Sequence, residues 1–107
     1  METSVTRRAD PDRFEITADG PVAGFAQFFD HGEHRVFFHT AIREEHAGHG
    51  LATAVIGAAL AATRDEGKRI VAICPLVKRY VEEHADEWSA SVDLPTPEML
   101  QRVPRRR

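Results

Sequence analysis

Arg13-Phe14-Glu15-Ile16-Thr17 alternates polar and apolar positions with the period of a half-buried strand, and Asp19-Gly20-Pro21 supplies turn residues before apolar character resumes over Val22 to Phe29. A hairpin is predicted. In its second strand Val22, Gly24, Ala26 and Phe28 share one face, and Ala23, Phe25, Gln27 and Phe29 share the other. A further turn, Asp30-His31-Gly32-Glu33-His34, leads into an extended run from Arg35 to Ile42, with Val36, Phe38 and Thr40 on one side and Phe37 and His39 on the other. From Gly50 to Glu66 the period becomes helical, and Gly67 stands where a helix is commonly closed. Leu51, Val55, Ala58, Ala59 and Ala62 form an apolar face widened by Ile56 and Leu60, so this helix is expected to lie against a sheet. Arg69-Ile70-Val71-Ala72-Ile73 predicts a strand parallel to its predecessor, and Pro75 opens a second helix through Glu83 with Leu76, Val77, Tyr80 and Val81 inward. After His84 the pattern dissolves, leaving Trp88 to pack the helix end onto the body and Pro97 to Arg102 as a last helical turn. The predicted class is α/β (α+β): an antiparallel β-meander followed by a β-α-β-α unit around a mixed sheet. Residues 1–12, polar and interrupted by Asp10-Pro11, read as a flexible leader, residues 13–92 as one domain, and residues 93–107 as a tail with a basic end.

The 107 residues suffice for one core but leave little chain for a separate substrate domain. The formal charge is −3; Arg102, Arg105, Arg106 and Arg107 contribute +4, so residues 1–101 stand at −7. An acidic body disfavours nucleic acid as a partner. A single cysteine excludes an internal disulfide, and the start Met-Glu-Thr-Ser-Val-Thr-Arg-Arg lacks the apolar run of a secretion signal, so a cytoplasmic location is expected. The longest apolar stretch, Leu51 to Ala62, is well short of the ~20 residues that span a bilayer, and no membrane association is expected.

Arg43-Glu44-Glu45-His46-Ala47-Gly48-His49-Gly50-Leu51-Ala52 carries the chemistry most legibly. Glycines let backbone approach an anion, and the unpaired N–H groups of the following helix's first turn, with the positive end of its dipole, favour phosphate there. A second junction, Cys74-Pro75, sets a thiol at the N-terminus of the next helix, where the same amides favour thiolate. The six histidines include His31-x-x-His34 and His46-x-x-His49, but the first pair lies in a turn and the glycine loop splits the second. No metal site is expected.

The order strand, strand, strand, Gly-x-Gly turn, helix, strand, helix resembles the GNAT family of acetyl-CoA-dependent N-acetyltransferases. That family's motif [Arg/Gln]-x-x-Gly-x-[Gly/Ala] is matched by Glu45-His46-Ala47-Gly48-His49-Gly50. Phe38-His39-Thr40-Ala41-Ile42, Gly48-His49-Gly50-Leu51-Ala52 and Cys74-Pro75-Leu76-Val77-Lys78-Arg79-Tyr80-Val81 together are similar to its short, single-domain YjdJ-type branch. The resemblance implies acetyl-CoA as cosubstrate and an amine as acceptor: a protein lysine, a peptide N-terminus or a polyamine. It implies that Thr40, Ala41 and Ile42 pair with the pantetheine arm while Ala47, Gly48, His49, Gly50, Leu51 and Ala52 cradle the pyrophosphate. Glu45 stands where the family has Arg or Gln, so Arg43, or His46 and His49 when protonated, would supply the positive charge. Cys74 would then act as base, acid or transient acyl acceptor, Tyr80 as acid to the leaving thiolate, and His39 as base near the substrate end of its strand. The small size implies an open acceptor site on a monomer, or one completed in a homodimer. Glu45 also leaves room for an alternative, a CoA-binding or interaction module that has kept the fold without turnover.

Overall fold

The structure, a computed structural model, describes residues 1–104. Six strands form one sheet in the order β1-β2-β3-β4-β5-β6: β1 (Thr3–Arg8), β2 (Arg13–Ala18), β3 (Val22–His31), β4 (His34–Ile42), β5 (Arg69–Ala72) and β6 (Val92–Asp93). The first four are antiparallel neighbours, and β5 and β6 run parallel to β4. The helices are α1 (Leu51–Asp65), α2 (Pro75–Glu83), α3 (Ala85–Trp88) and α4 (Pro97–Arg102). The mixed α+β architecture and the parallel placement of β5 agree with the sequence pattern.

Helices α1 and α2 cover one face of the sheet. Val55, Ile56, Ala59 and Leu60 of α1 and Val77 and Val81 of α2 are buried against Phe14, Ile16, Ala26, Phe28, Phe37 and Ile70. Each fully buried aliphatic or aromatic side chain of this kind is worth about 1.5–3 kcal/mol of transfer free energy. Trp88 joins the same core at 2% exposure, as its position predicted. Leu76, expected to face inward, is instead 40% exposed, because Val77 and Val81 already fill the contact stripe of this nine-residue helix. On the opposite face a smaller core forms where Met99 of α4 packs against Val36 and Val71.

Three expectations are corrected. The leader over residues 1–12 contains β1, which pairs with β2 from Thr3 opposite Ala18 to Arg8 opposite Arg13, while Val5 packs on the core. Its polar sequence hides it, because an edge strand with one packed side chain shows no alternation. The tail likewise begins with an edge strand and α4. Arg102 there, though exposed, is tied to the body: its guanidinium donates to Asp30 O (3.3 Å) and His31 Nδ1 (2.8 Å) and lies 4.5 Å from the centre of the Phe29 ring. Arg105, Arg106 and Arg107, the rest of the predicted basic end, lie outside the described residues.

The third correction concerns side-chain direction. Ile16 pairs with Gly24 but Thr17 pairs with Val22, so Ala23 is an extra residue in β3 and turns into the core with Ala26 and Phe28. In the same way Phe28 pairs with Phe37 and Gln27 with His39, so Phe38 is a bulge in β4. Beyond it every side chain changes face relative to strict alternation. Phe37 and Thr40 therefore share the helix side, and Phe38 and His39 the other.

At the foot of β4, Arg35 is fully buried and donates to Asp30 (2.8 and 3.2 Å) and Glu66 (2.9 and 2.8 Å), with its guanidinium 4.6 Å from the centre of the Phe28 ring. These bonds close the α1 C-terminus onto the β3–β4 hairpin. They hold the Glu66 carboxyl down at about 2.

Candidate active site

Two devices in β4 define the site. The first is the end of pairing with β5. The ladder stops at Phe37 opposite Ala72, yet β4 continues to Ile42. Both Ile73 N–H (2.9 Å) and Cys74 N–H (3.0 Å) donate to Phe37 O, after which the chain turns into α2. A wedge thus opens between the upper half of β4 and the start of α2. The second device is the orientation of the backbone along that wedge. Arg43 N–H donates to Ala23 O on the β3 side (2.7 Å), and successive residues of a strand aim their backbone groups to opposite sides. Ala41 therefore faces β3, whereas Thr40 and Ile42 turn theirs toward the side that β5 has left.

The chain passes from Ile42 through a single 3₁₀ turn, Glu44–His46, to the two glycines. Gly48 has φ +84° and Gly50 φ +71°, a region costly for residues with a Cβ. A Cβ added at either would meet nothing within 4 Å, so packing does not explain the glycines. Gly50 caps α1 with no side-chain hydrogen bond, and the first helical bond runs from Ala54 N–H to Gly50 O (3.1 Å). The amides of Leu51, Ala52 and Thr53 precede that ladder and are open to an acceptor at the helix N-terminus. Residues 43, 47, 48, 49 and 50 are exposed, as are Glu44 and Glu45, while Leu51 is buried beneath the turn. Arg43 makes no ion pair with any described residue and lines a recess of about 230 Å³ with Gly24, Phe25, Ala41 and Ile42.

The three residues expected to act chemically stand in three different surroundings. Cys74, 3% exposed, caps α2, and its thiol donates to Thr40 Oγ1 (3.4 Å) across the wedge. Tyr80, half-buried, stacks on His84 with ring centres 4.3 Å apart, and lines a groove of about 260 Å³ with Ala52, Thr53, Ile56 and Leu76. Its hydroxyl fits a notch in α1: a Cβ on Gly57 would stand 2.8 Å from that oxygen. Tyr80 stands six positions after Cys74 along α2, a rise of about 9 Å. His39 lies across the sheet from both, its ring edge-on to Phe25 (5.6 Å) in a pocket of about 300 Å³ shared with Gln27, Phe38, Val103 and Pro104. The structure therefore brings Cys74 to Thr40 and leaves Tyr80 and His39 apart from them, one along α2 and one behind β4.

Sequence reasoning missed the second pocket. Its signal was the apolar side chains of Phe25 and Phe38 on strands whose other face already supplied the core, and the bulge concealed that Phe38 and His39 share a face. Among the described residues no three His, Cys, Asp or Glu side chains are grouped to hold a metal. Among the described residues no helix is long and apolar enough to cross a membrane.

Glycines at positive φ before an uncapped helix, beside a strand whose partner has splayed away, suit a long anionic ligand: phosphates at the turn and an extended arm along the strand. No curated protein matches the chain. A family model described as GCN5-related N-acetyl-transferase matches residues 13–92, well over half of its length and the segment that holds β2 through α3. The chain belongs to the GCN5-related N-acetyltransferase family.

Proposed function

We propose that the protein transfers an acetyl group from acetyl-CoA to an amine by direct attack within a ternary complex. The observation that carries this reading is the meeting of the open glycine turn with the splayed edge of β4. In this reading the pyrophosphate rests on the amides around residues 47–52 with Arg43 as counter-charge, and the pantetheine arm runs along Thr40, Ala41 and Ile42. The thioester reaches the wedge beside Cys74 and Thr40.

The amine nitrogen forms a bond to the thioester carbonyl carbon as the carbon–sulfur bond breaks. The amine releases one proton and the departing sulfur takes one up, so the products are an amide and the free thiol of CoA. Backbone N–H groups along the wedge stabilise charge on the carbonyl oxygen. Because Cys74 donates to Thr40 Oγ1, the hydroxyl of Thr40 can donate in turn, and we assign it as a hydrogen-bond donor to the developing thiolate, whose proton comes from water. His39, behind β4, takes the proton of the amine. Tyr80, with its hydroxyl in the notch at Gly57, lines the helix-side groove and steadies the cofactor arm.

The deciding assay follows release of free thiol from acetyl-CoA with a panel of primary amines, with the acetylated amine identified by mass. Thiol release matched by an acetylated amine is expected. Acetyl-CoA binding without turnover on any amine would instead favour the non-catalytic CoA-binding module, for which Glu45 at the motif's basic position argues.

A further inference from the structure

Among the described residues the sheet has two edges, and they are built differently. Strand β6 has two residues before Leu94-Pro95 ends it. At the other edge β1 runs for six residues without proline, and its ladder with β2 keeps one register, free of the bulges in the β2–β3 and β3–β4 ladders. All of β1 except Val5 is exposed, and no described strand pairs with its outer side. Such an edge is commonly guarded by a bulge, a proline or a short strand, because its unpaired backbone groups are a template for another strand. The direction of those groups follows from the ladder. Asp19 N–H donates to Glu2 O (2.8 Å), so residues 2, 4, 6 and 8 aim their backbone groups at β2, and Thr3, Val5 and Arg7 aim theirs outward. The Arg7 side chain does not guard the edge: it turns back over its own sheet to Glu66 (3.1 Å), with its guanidinium 5.3 Å from the centre of the Phe28 ring. Arg8 stands on the other face beside Glu15 (3.4 Å), and alternation places Glu2 on that same face.

We infer that β1 pairs with the β1 of a second copy of this chain, antiparallel about a two-fold axis through Val5, so that two sheets become one. Among registers that set outward groups against outward groups, this one engages all three outward residues. Val5 faces Val5 of the second copy and Thr3 faces its Arg7, each pair exchanging both N–H···O bonds. The same register sets Glu2 opposite Arg8 of the second copy, and Arg8 opposite its Glu2. The two-fold thus creates two cross-strand ion pairs on the face away from α1 and sets no like charges directly opposite one another. Opposed side chains of paired strands share a face, so both helical layers lie on one side of the joined sheet. Strands β2 and β3 lie between this edge and β4, and the interface is independent of the transferase reading.

Sedimentation equilibrium from micromolar to millimolar protein tests the association, and amide hydrogen exchange read by NMR over the same range tests the edge. A dimer is expected, with the amides of Thr3, Val5 and Arg7 slowed about tenfold or more as it forms, and those of Ser4, Thr6 and Arg8, already bonded to β2, changing less. The exchange readout needs no variant. Glu2→Arg and Arg8→Glu should each raise the dimer Kd about tenfold, because each sets like charges opposite at two symmetric positions, and the double variant should restore it. Residues 2 and 8 stand about 20 Å apart along one strand, so Glu2→Arg does not compensate a clash of Arg8→Glu with Glu15 inside one chain. An antiparallel second strand brings the two positions together. A monomer at millimolar concentration, a dimer in which the Thr3, Val5 and Arg7 amides exchange as fast as in dilute protein, or a double variant no tighter than the single ones overturns the interface.

Discussion

Replacing Gly48 with alanine separates a structural cost from a ligand cost, because the added methyl meets nothing of the protein within 4 Å. At φ +84° the alanine pays for left-handed backbone by ~1–2 kcal/mol, reduced by a few tenths because alanine also restricts the unfolded chain. A net loss of about 1 kcal/mol lowers Tm by about 4–8 °C in a domain of this size. Gly32→Ala is the matched control: φ is +62°, the methyl again meets open space, and the residue lies in the β3–β4 turn. With acetyl-CoA at 100 times its Kd, wild type gains about 2.7 kcal/mol. If the methyl blocks the phosphate and raises Kd tenfold, the gain at the same concentration falls to about 1.4 kcal/mol. Differential scanning fluorimetry with and without acetyl-CoA reads both effects. The expected result is a similar loss of basal Tm in the two variants, with the ligand increment roughly halved in Gly48→Ala alone. An undiminished increment in Gly48→Ala would refute the claim that these glycines exist to admit phosphate.

Gly24→Ala is expected to destabilise by ~1–3 kcal/mol in urea unfolding, because its methyl would stand 2.5 Å from Ala41 O and overlap Ile42 Cδ1, forcing β3 from β4; a neutral result would show that the pair relaxes freely. Thr40→Val is expected to lower kcat about tenfold or more with acetyl-CoA binding retained, whereas Cys74→Ser, which keeps a donor to Thr40, should stay closer to wild type; equal losses in both would show that Thr40 does not stabilise the leaving sulfur. Arg35 holds the Glu66 carboxyl at about 2, below its ordinary 4.5, so the bond's contribution is complete above about pH 4.5 and fades as pH falls toward 2. The stability gap between wild type and Glu66→Gln should therefore narrow across that window in denaturant titrations, and a gap constant from pH 7 to 2.5 would contradict the assignment.

Much of this fold was legible because the signals were periodic or conformational. Residues 13–17, 22–29 and 35–42 alternate, residues 50–66 change to a helical period, and Pro75 marks a helix start; each became the element expected. The glycine turn was legible for a different reason, since Gly48 and Gly50 are needed at positive φ whatever surrounds them. Strand β1 was hidden because pairing through backbone alone leaves no hydrophobic pattern. The bulges at Ala23 and Phe38 were hidden because one extra residue changes neither composition nor strand length, yet the second parts His39 from Phe37 and sets it on the face of Phe38, while Thr40 joins Phe37 on the helix side. Met99 was similarly informative only once its partners were in place, because a short helix carries too few turns for a stripe to emerge.

The central claim, that the amides at the start of α1 and the free edge of β4 together seat CoA, is tested most directly by an amide-resolved NMR titration of the protein with acetyl-CoA. The account predicts saturable shifts concentrated at residues 40–43 and 47–53, with the β1–β2 hairpin unmoved. Millimolar acetyl-CoA that leaves both segments unchanged, or that perturbs a different part of the surface, would contradict it.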